Sequence, residues 1–335
     1  MNDNMELCNK IAETVSSCDS YSTIQPVKVG QSEYRNEFLL FVKPEIFMVE
    51  KAEPIKKTLE LVFAKLNEFN VETNGMMIVG GKVLDQLEIM SSHYGFINRL
   101  SRSASKMLDR DDRTKMAEAL GISLDGHEIL GGHEYLIKYP NENALDLDQL
   151  WFSRKSIKLR SGFYFQAYKK GNENIILVNG FHPAQLSHFT EPSHRILLIM
   201  AHSNTDWVTL RDRMIGNTFP ERAERESIRG TLYAQPRAFG LESVSIANNG
   251  IHMSAGPYEG MFEIANFFGK ILKLNLEQEP PLLLQRMFEA GMERSQALSA
   301  LANPMIPSDS KPIDLFTATE SMDTGKAIAF WKEKL

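Results

Sequence analysis

The sequence predicts an α/β fold interrupted by one large insertion, and three observations carry that expectation. Short apolar runs of strand type, at 37–42, 76–80 and 196–200, alternate with stretches whose apolar residues recur at helical spacing, at 52–69, 84–94 and 258–271. Between the second helical stretch and the third strand lies a block of different character, first charge-rich and then punctuated by glycine. The composition, 43% hydrophobic and 24% charged over 335 residues, suits a sizeable core and excludes wholesale disorder.

In chain order, 1–35 is polar and Ser-rich around 16–22, and is expected to be a lead-in segment. The apolar run 37–42 has no helical spacing and ends at Lys43-Pro44, so it reads as a buried strand. Ile55, Leu59, Val62 and Leu66 mark the helix that follows. Asn74-Gly75 is a turn signal, 76–80 a second strand, and 84–94 helical. The block 95–179 is expected to be an inserted subdomain. It holds a charged helical stretch at 99–113, a basic run from Arg154 to Arg160, and a β-hairpin turning at Lys170-Gly171-Asn172. The run 196–200 is a buried strand, 208–215 includes a short helix, and 243–247 alternates like a strand leading to Asn249. An amphipathic helix covers 258–271. A helical extension with several prolines occupies 273–335, with helix expected at 281–301 and 326–331.

Charge and cysteine usage narrow the class. The net charge of −6 argues against nonspecific nucleic-acid binding by the whole molecule. No apolar run is long enough to span a bilayer, and the first ten residues lack the apolar core of a secretion signal. Cys8 and Cys18, the only cysteines, form neither a zinc-site nor a disulfide spacing, so a reducing, cytoplasmic setting is expected.

Chemistry concentrates late in the chain. In Asn249-Gly250-Ile251-His252-Met253-Ser254, a histidine stands between an amide and a hydroxyl, and Glu263 follows. Imidazole is a nucleophile near neutral pH once a partner fixes its tautomer, and Glu263 can be that partner if strand turns to helix between them. Ser254 would donate to a transferring phosphate or support Glu263. A lone histidine is more often structural than catalytic. Arg229, before Gly230, offers a fork suited to phosphate oxygens, although alone it also reads as a surface arginine at a turn. Thr218-Phe219-Pro220 offers a hydroxyl to a phosphate or an N-cap to a helix. Lys43, at a strand end, can reach a phosphate or a ribose hydroxyl, or simply end the strand. Asn249 can bond sugar hydroxyls or occupy a turn.

Taken together, Lys43-Pro44-Glu45, His93-Tyr94, Thr218-Phe219-Pro220, Ile228-Arg229-Gly230, Asn249 to Ser254 and Glu263 resemble the motifs of the nucleoside diphosphate kinase family, in the same order. The intervals from Thr218 to Arg229 and from His252 to Glu263 are also similar to the family's. The resemblance covers about 36–94 and 180–272. It implies a ferredoxin-like sandwich with an antiparallel sheet. It further implies a ping-pong transfer in which His252 takes the γ-phosphate of a nucleoside triphosphate and gives it to a nucleoside diphosphate, with Mg²⁺ bridging the phosphates rather than held by protein ligands. By match, Arg229 and Thr218 would hold phosphates, Lys43 and Asn249 the ribose and phosphate edge, with Tyr94 and Glu263 supporting Lys43 and His252. Relatives commonly form symmetric homo-oligomers. There are departures. The family's phosphate-binding arginine is replaced by Asp212, flanked by Arg211 and Arg213, and a one-residue shift would let either substitute, Arg213 being preferred. The glycine after the histidine is Met253, and Phe181 is the candidate for the base-stacking aromatic. The alternative expectation is a catalytically weakened nucleotide-binding regulatory or assembly protein, to which Asp212 and Met253 point.

Overall fold

The computed structural model describes residues 2–30, 33–307 and 312–335. The portions of the expected lead-in and C-terminal extension at 1, 31–32 and 308–311 lie outside these described residues. The chain divides into two compact units, one formed by Met1–Ile89 with Pro192–Leu335 and the other by Met90–Glu191.

The first unit is built on a five-stranded sheet. Its strands are β1 (Tyr21–Gln25), β2 (Asn36–Val42), β3 (Val71–Gly80), β4 (Arg195–Ser203) and β5 (Ile251–Met253), ordered β1-β3-β4-β2-β5, and every neighbouring pair is antiparallel. All of β2 is buried, as expected of a central strand covered on both faces. Alternation divides its side chains. Phe38, Leu40 and Val42 join a core with Leu59, Val62, Phe63 and Leu66 of the helix Ala52–Glu68. Phe41 points to the opposite face and stacks on Phe267, with ring centroids 5.7 Å apart. That face is covered by the helix Pro257–Ile264, which continues through a π-helical turn, Ala265–Gly269.

Several expectations change. The N-terminal segment is more than a lead-in: the helix Asn2–Ser17 buries Cys8, Ile11, Ala12 and Val15 in the same core, and β1 is the sheet's edge strand. Those four residues have helical spacing, which the surrounding polar residues obscure. Asn74-Gly75 is no turn. It lies inside β3, where the register with β4 shifts between Thr73 and Gly75, and a Cβ on Gly75 would come within 2.9 Å of Val27. The stretch 243–247 is not a strand. The open edge of β2 is taken by β5, and Ser245 N–H turns back to the Asn248 carbonyl. The expected helix at 281–301 is two, Leu282–Glu289 and Arg294–Ser299, separated where Gly291 takes a φ of +75°. Leu283, Leu284 and Met287 of the first, with Ala327, Ile328 and Trp331 of the helix Thr324–Lys332, pack on Tyr258 and Met261, so the C-terminal segment shares a core with the helix behind β5.

The second unit has a four-stranded sheet in the order His127–Gly131, Glu173–Val178, Phe163–Lys170, Ile157–Arg160, the first pair parallel and the rest antiparallel. The hairpin at Gly171 is its centre. One face packs on Leu100, Ala104 and Met116, and the other on Tyr135, Leu147 and Trp151. The basic run is partly spent internally, since Arg160 pairs with Asp112 and Arg154 donates to the Ala167 carbonyl. This unit takes in 90–94 and 180–191, beyond the expected limits of the insertion. Tyr94 explains part of that: its ring packs against His182 and Phe189 of the helix His182–Thr190.

Candidate functional site

The site in the first unit grows from the end of β2 and from β5. His252 pairs with Phe41 across these strands and stacks on its ring, with centroids 4.4 Å apart, so the imidazole projects from the face that carries the helix Pro257–Ile264. That helix brings Glu263 to it: His252 Nε2 lies 2.8 Å from Glu263 Oε1. The Glu263 side chain is fully buried, while that of His252 keeps 19% of its surface exposed. Ser254, also on the far side of His252 in sequence, places its hydroxyl 2.5 Å from Glu263 Oε2 and accepts from the Leu39 N–H at 3.0 Å. A buried carboxylate needs such partners, because an unsatisfied one would carry a large desolvation cost. Nε2 is therefore the ring nitrogen directed to Glu263, and the contact fixes the orientation of the imidazole.

The loop before β5 is tied to the end of β2. Lys43 N–H donates to the Gly250 carbonyl at 2.9 Å, and the Gly250 N–H donates to Glu45 Oε1 at 2.8 Å. Gly250 has a φ of +80°, and a Cβ there would meet Leu232 at 2.5 Å, so the turn into β5 requires glycine. Lys43 Nζ donates to the Ala247 carbonyl at 3.0 Å. Burial lowers the Lys43 ammonium to about 8, Glu45 opposing and Arg229 reinforcing the shift.

Arg229 is not the surface arginine its local sequence suggests. It is buried, with Nε and Nη2 donating to the Ile251 carbonyl at 3.3 and 2.9 Å and Nη1 to the Gly216 carbonyl at 2.9 Å. Burial depresses its guanidinium to about 10, with Arg211 adding to the effect. Its neighbour Gly230 is required by space, since a Cβ would lie 1.9 Å from the Glu224 carbonyl oxygen. Asn249 is buried too. Its amide nitrogen donates to Ile246 and, at 3.4 Å, to the Thr218 carbonyl, while its Oδ1 has no hydrogen-bond partner among the described residues.

Thr218 lines a cavity of about 370 Å³ together with Arg211, Asn217, Phe219, Arg222 and Glu320. It is not an N-cap. Phe219 precedes the short 3₁₀ turn Pro220–Arg222, and Thr218 stands one residue earlier. Of the two arginines flanking Asp212, Arg211 rather than the expected Arg213 borders this cavity. Arg213 lies 3.9 Å from Glu224 and over the Phe69 ring. The reason is the π-helical conformation of Leu210–Ile215, whose wider turn changes the phase read on an α-helical assumption. Arg211 donates to the Ala255 carbonyl at 3.0 Å and pairs with Glu320.

Two expected site residues belong to the second unit. Tyr94 takes part in its aromatic packing, as described above. Phe181 packs between Trp151 and Tyr164, with centroids 5.7 and 6.0 Å away. Sequence reasoning missed Glu45, Arg222 and Glu320. Glu45 sits in the quoted Lys-Pro-Glu motif, but no local signal marks the other two. No family model matches this chain, and no curated protein does either. Among the described residues, no helix is long and apolar enough to cross a membrane.

Proposed function

We propose that this protein is a nucleoside diphosphate kinase-like phosphotransferase working through a phosphohistidine on His252. The observation that carries the reading is the buried relay His252–Glu263–Ser254, at 2.8 and 2.5 Å, on a strand whose next carbonyl upstream is held by Arg229. A strand order in which β2 and β3 flank β4, with β5 beside β2, supports a ferredoxin-like sandwich carrying one added edge strand.

In this reading, Glu263 as a carboxylate accepts the Nε2 proton of a neutral imidazole and leaves the lone pair on Nδ1. Nδ1 attacks the γ-phosphorus, the N–P bond forms, and the bond to the bridging oxygen breaks with its electron pair leaving on the nucleoside diphosphate. The ring gains positive character, which Glu263 stabilises, as an orienting carboxylate does for imidazole elsewhere. A terminal phosphate oxygen of an acceptor diphosphate then attacks the same phosphorus and restores His252. Lys43, Arg229 and Arg211 give the neighbourhood positive potential, and Thr218 a hydroxyl. In phosphoryl transfer, such positioning and neutralisation do most of the work. Asp212 and Glu320 both line the cavity, Glu320 paired with Arg211, and a nucleotide bound there would bring Mg²⁺ on its own phosphates.

A second reading, a nucleotide-binding regulator with little transfer activity, is favoured by the way the cations are occupied. Arg229 directs its donors to main-chain carbonyls, and Arg211 is paired with Glu320. Incubation with γ-labelled ATP and Mg²⁺ separates the two. Acid-labile label on His252 that passes to added diphosphate is expected. Nucleotide binding without any label on His252 would support the regulator instead.

A further inference from the structure

The guanidinium groups in and near this part of the first unit differ in what they already touch. Arg229 is bonded to the Ile251 and Gly216 carbonyls, Arg213 lies near Glu224, and Arg211 is paired with Glu320. Arg222 stands apart. It lies over the Phe219 ring with its guanidinium carbon 4.7 Å from the centroid, and among the described residues that guanidinium has no hydrogen-bond or carboxylate partner. It is exposed and lines the same cavity as Arg211 and Thr218. Stacking on an aromatic face fixes the guanidinium plane while leaving the N–H groups at its edge directed away from the ring, which pre-organises an anion contact.

We propose that Arg222 is a phosphate-holding residue of this cavity, acting with Arg211, and that Glu320 occupies Arg211 until a ligand phosphate displaces it. The proposal deepens the phosphotransferase reading and rests on its assignment of the cavity to nucleotide phosphates. It answers the loss of an arginine at Asp212, because Arg222 reaches the same cavity from the other side of Thr218 in sequence. Glu320 is well placed as a resident competitor. The Ser321 N–H donates to the Ala255 carbonyl at 2.9 Å, and Ser321 holds a φ of +61°, so the backbone beside Glu320 is anchored next to the strand that carries His252.

Calorimetric titration of the full-length protein with ADP and with inorganic tripolyphosphate tests this. Arg222→Ala is expected to weaken both probes about tenfold, the scale of one charge-assisted hydrogen bond. Arg222→Lys should retain part of that affinity, and Glu320→Gln should tighten both probes several-fold. Unfolding midpoints equal to wild type would establish that the variants fold. Wild-type affinity in Arg222→Ala overturns the role of Arg222. Unchanged affinity in Glu320→Gln overturns the competition, and a wild type that binds neither probe overturns both. If His252 takes no label while tripolyphosphate binding still depends on Arg222, the transfer reading falls and this one stands. If labelling proceeds and Arg222→Ala binds normally, this one falls alone.

Discussion

His252 Nε2 and Glu263 Oε1 are 2.8 Å apart, one on a three-residue edge strand and the other on the helix that immediately covers it. The pair is built by a tight strand-to-helix reversal, with Ser254 bracing the carboxylate from the side facing β2. An orienting carboxylate acts on the tautomer and on the charge that develops on the ring, so its removal should be felt in rate more than in binding.

Glu263→Gln is therefore expected to slow phosphorylation of His252 by a factor on the order of 10² to 10⁴, by analogy with other carboxylate–histidine pairs, while leaving ADP affinity nearly unchanged. Single-turnover labelling and calorimetry on the same preparations check the two halves. Ser254→Ala removes one donor to buried Glu263 and the acceptor of the Leu39 N–H, and should lower stability by about 1–3 kcal/mol in urea unfolding.

Arg229 joins two carbonyls from different segments, Gly216 before Thr218 and Ile251 beside His252. Lysine keeps the charge but has no fork and cannot make these three bonds at once. Arg229→Lys should destabilise the fold by about 2–3 kcal/mol, since the lost bonds involve a charged donor and buried acceptors. It should also weaken nucleotide binding through displacement of Thr218. Thermal unfolding and ADP titration would show both, and full retention of both would sink the assignment of Arg229 as the strut between these segments.

Glu37 lies inside β2, yet it is an acid. Its oxygens accept the Gly30 N–H at 3.2 Å and the Leu282 N–H at 2.8 Å, tying the N-terminal segment to the C-terminal helix. Burial raises its carboxyl to about 7, against the lowering effect of those bonds and of Arg286. A folded-state value above the unfolded one means that the folded protein binds the proton more tightly between roughly pH 4.5 and 7. This contribution to stability is thus fully present below about pH 4.5 and is lost as the pH rises through about 7, by roughly 3 kcal/mol at most. Glu37→Gln should flatten that part of the pH profile. Urea midpoints at pH 5 and pH 8 for both proteins measure it, and an unchanged difference between the two pH values would refute the assignment to Glu37.

Much of the architecture was legible because it depends on local periodicity. The runs that became β2 and β4, the helix Ala52–Glu68 and the hairpin at Gly171 follow from patterns a few residues long. His252 and Glu263 were legible as a pair for the same reason, being eleven residues apart across one reversal. Where a local signal had two outcomes, the sequence misled. Asn74-Gly75 reads as a turn until a neighbouring strand absorbs it as an irregularity in β3, and 243–247 alternates like a strand but the edge of β2 is taken by Ile251–Met253 instead.

The sequence by itself determined the alternation of strands and helices and the grouping of His252, Ser254 and Glu263. Only the tertiary structure decided that Arg229 is buried, that Arg211 and not Arg213 faces the cavity beside Thr218, and that Glu320, more than a hundred positions away in the chain, supplies the partner of Arg211. The physical reason is that periodicity records which face of an element is apolar. Which cation meets which anion depends on segments far apart in sequence being brought within a few ångströms by packing.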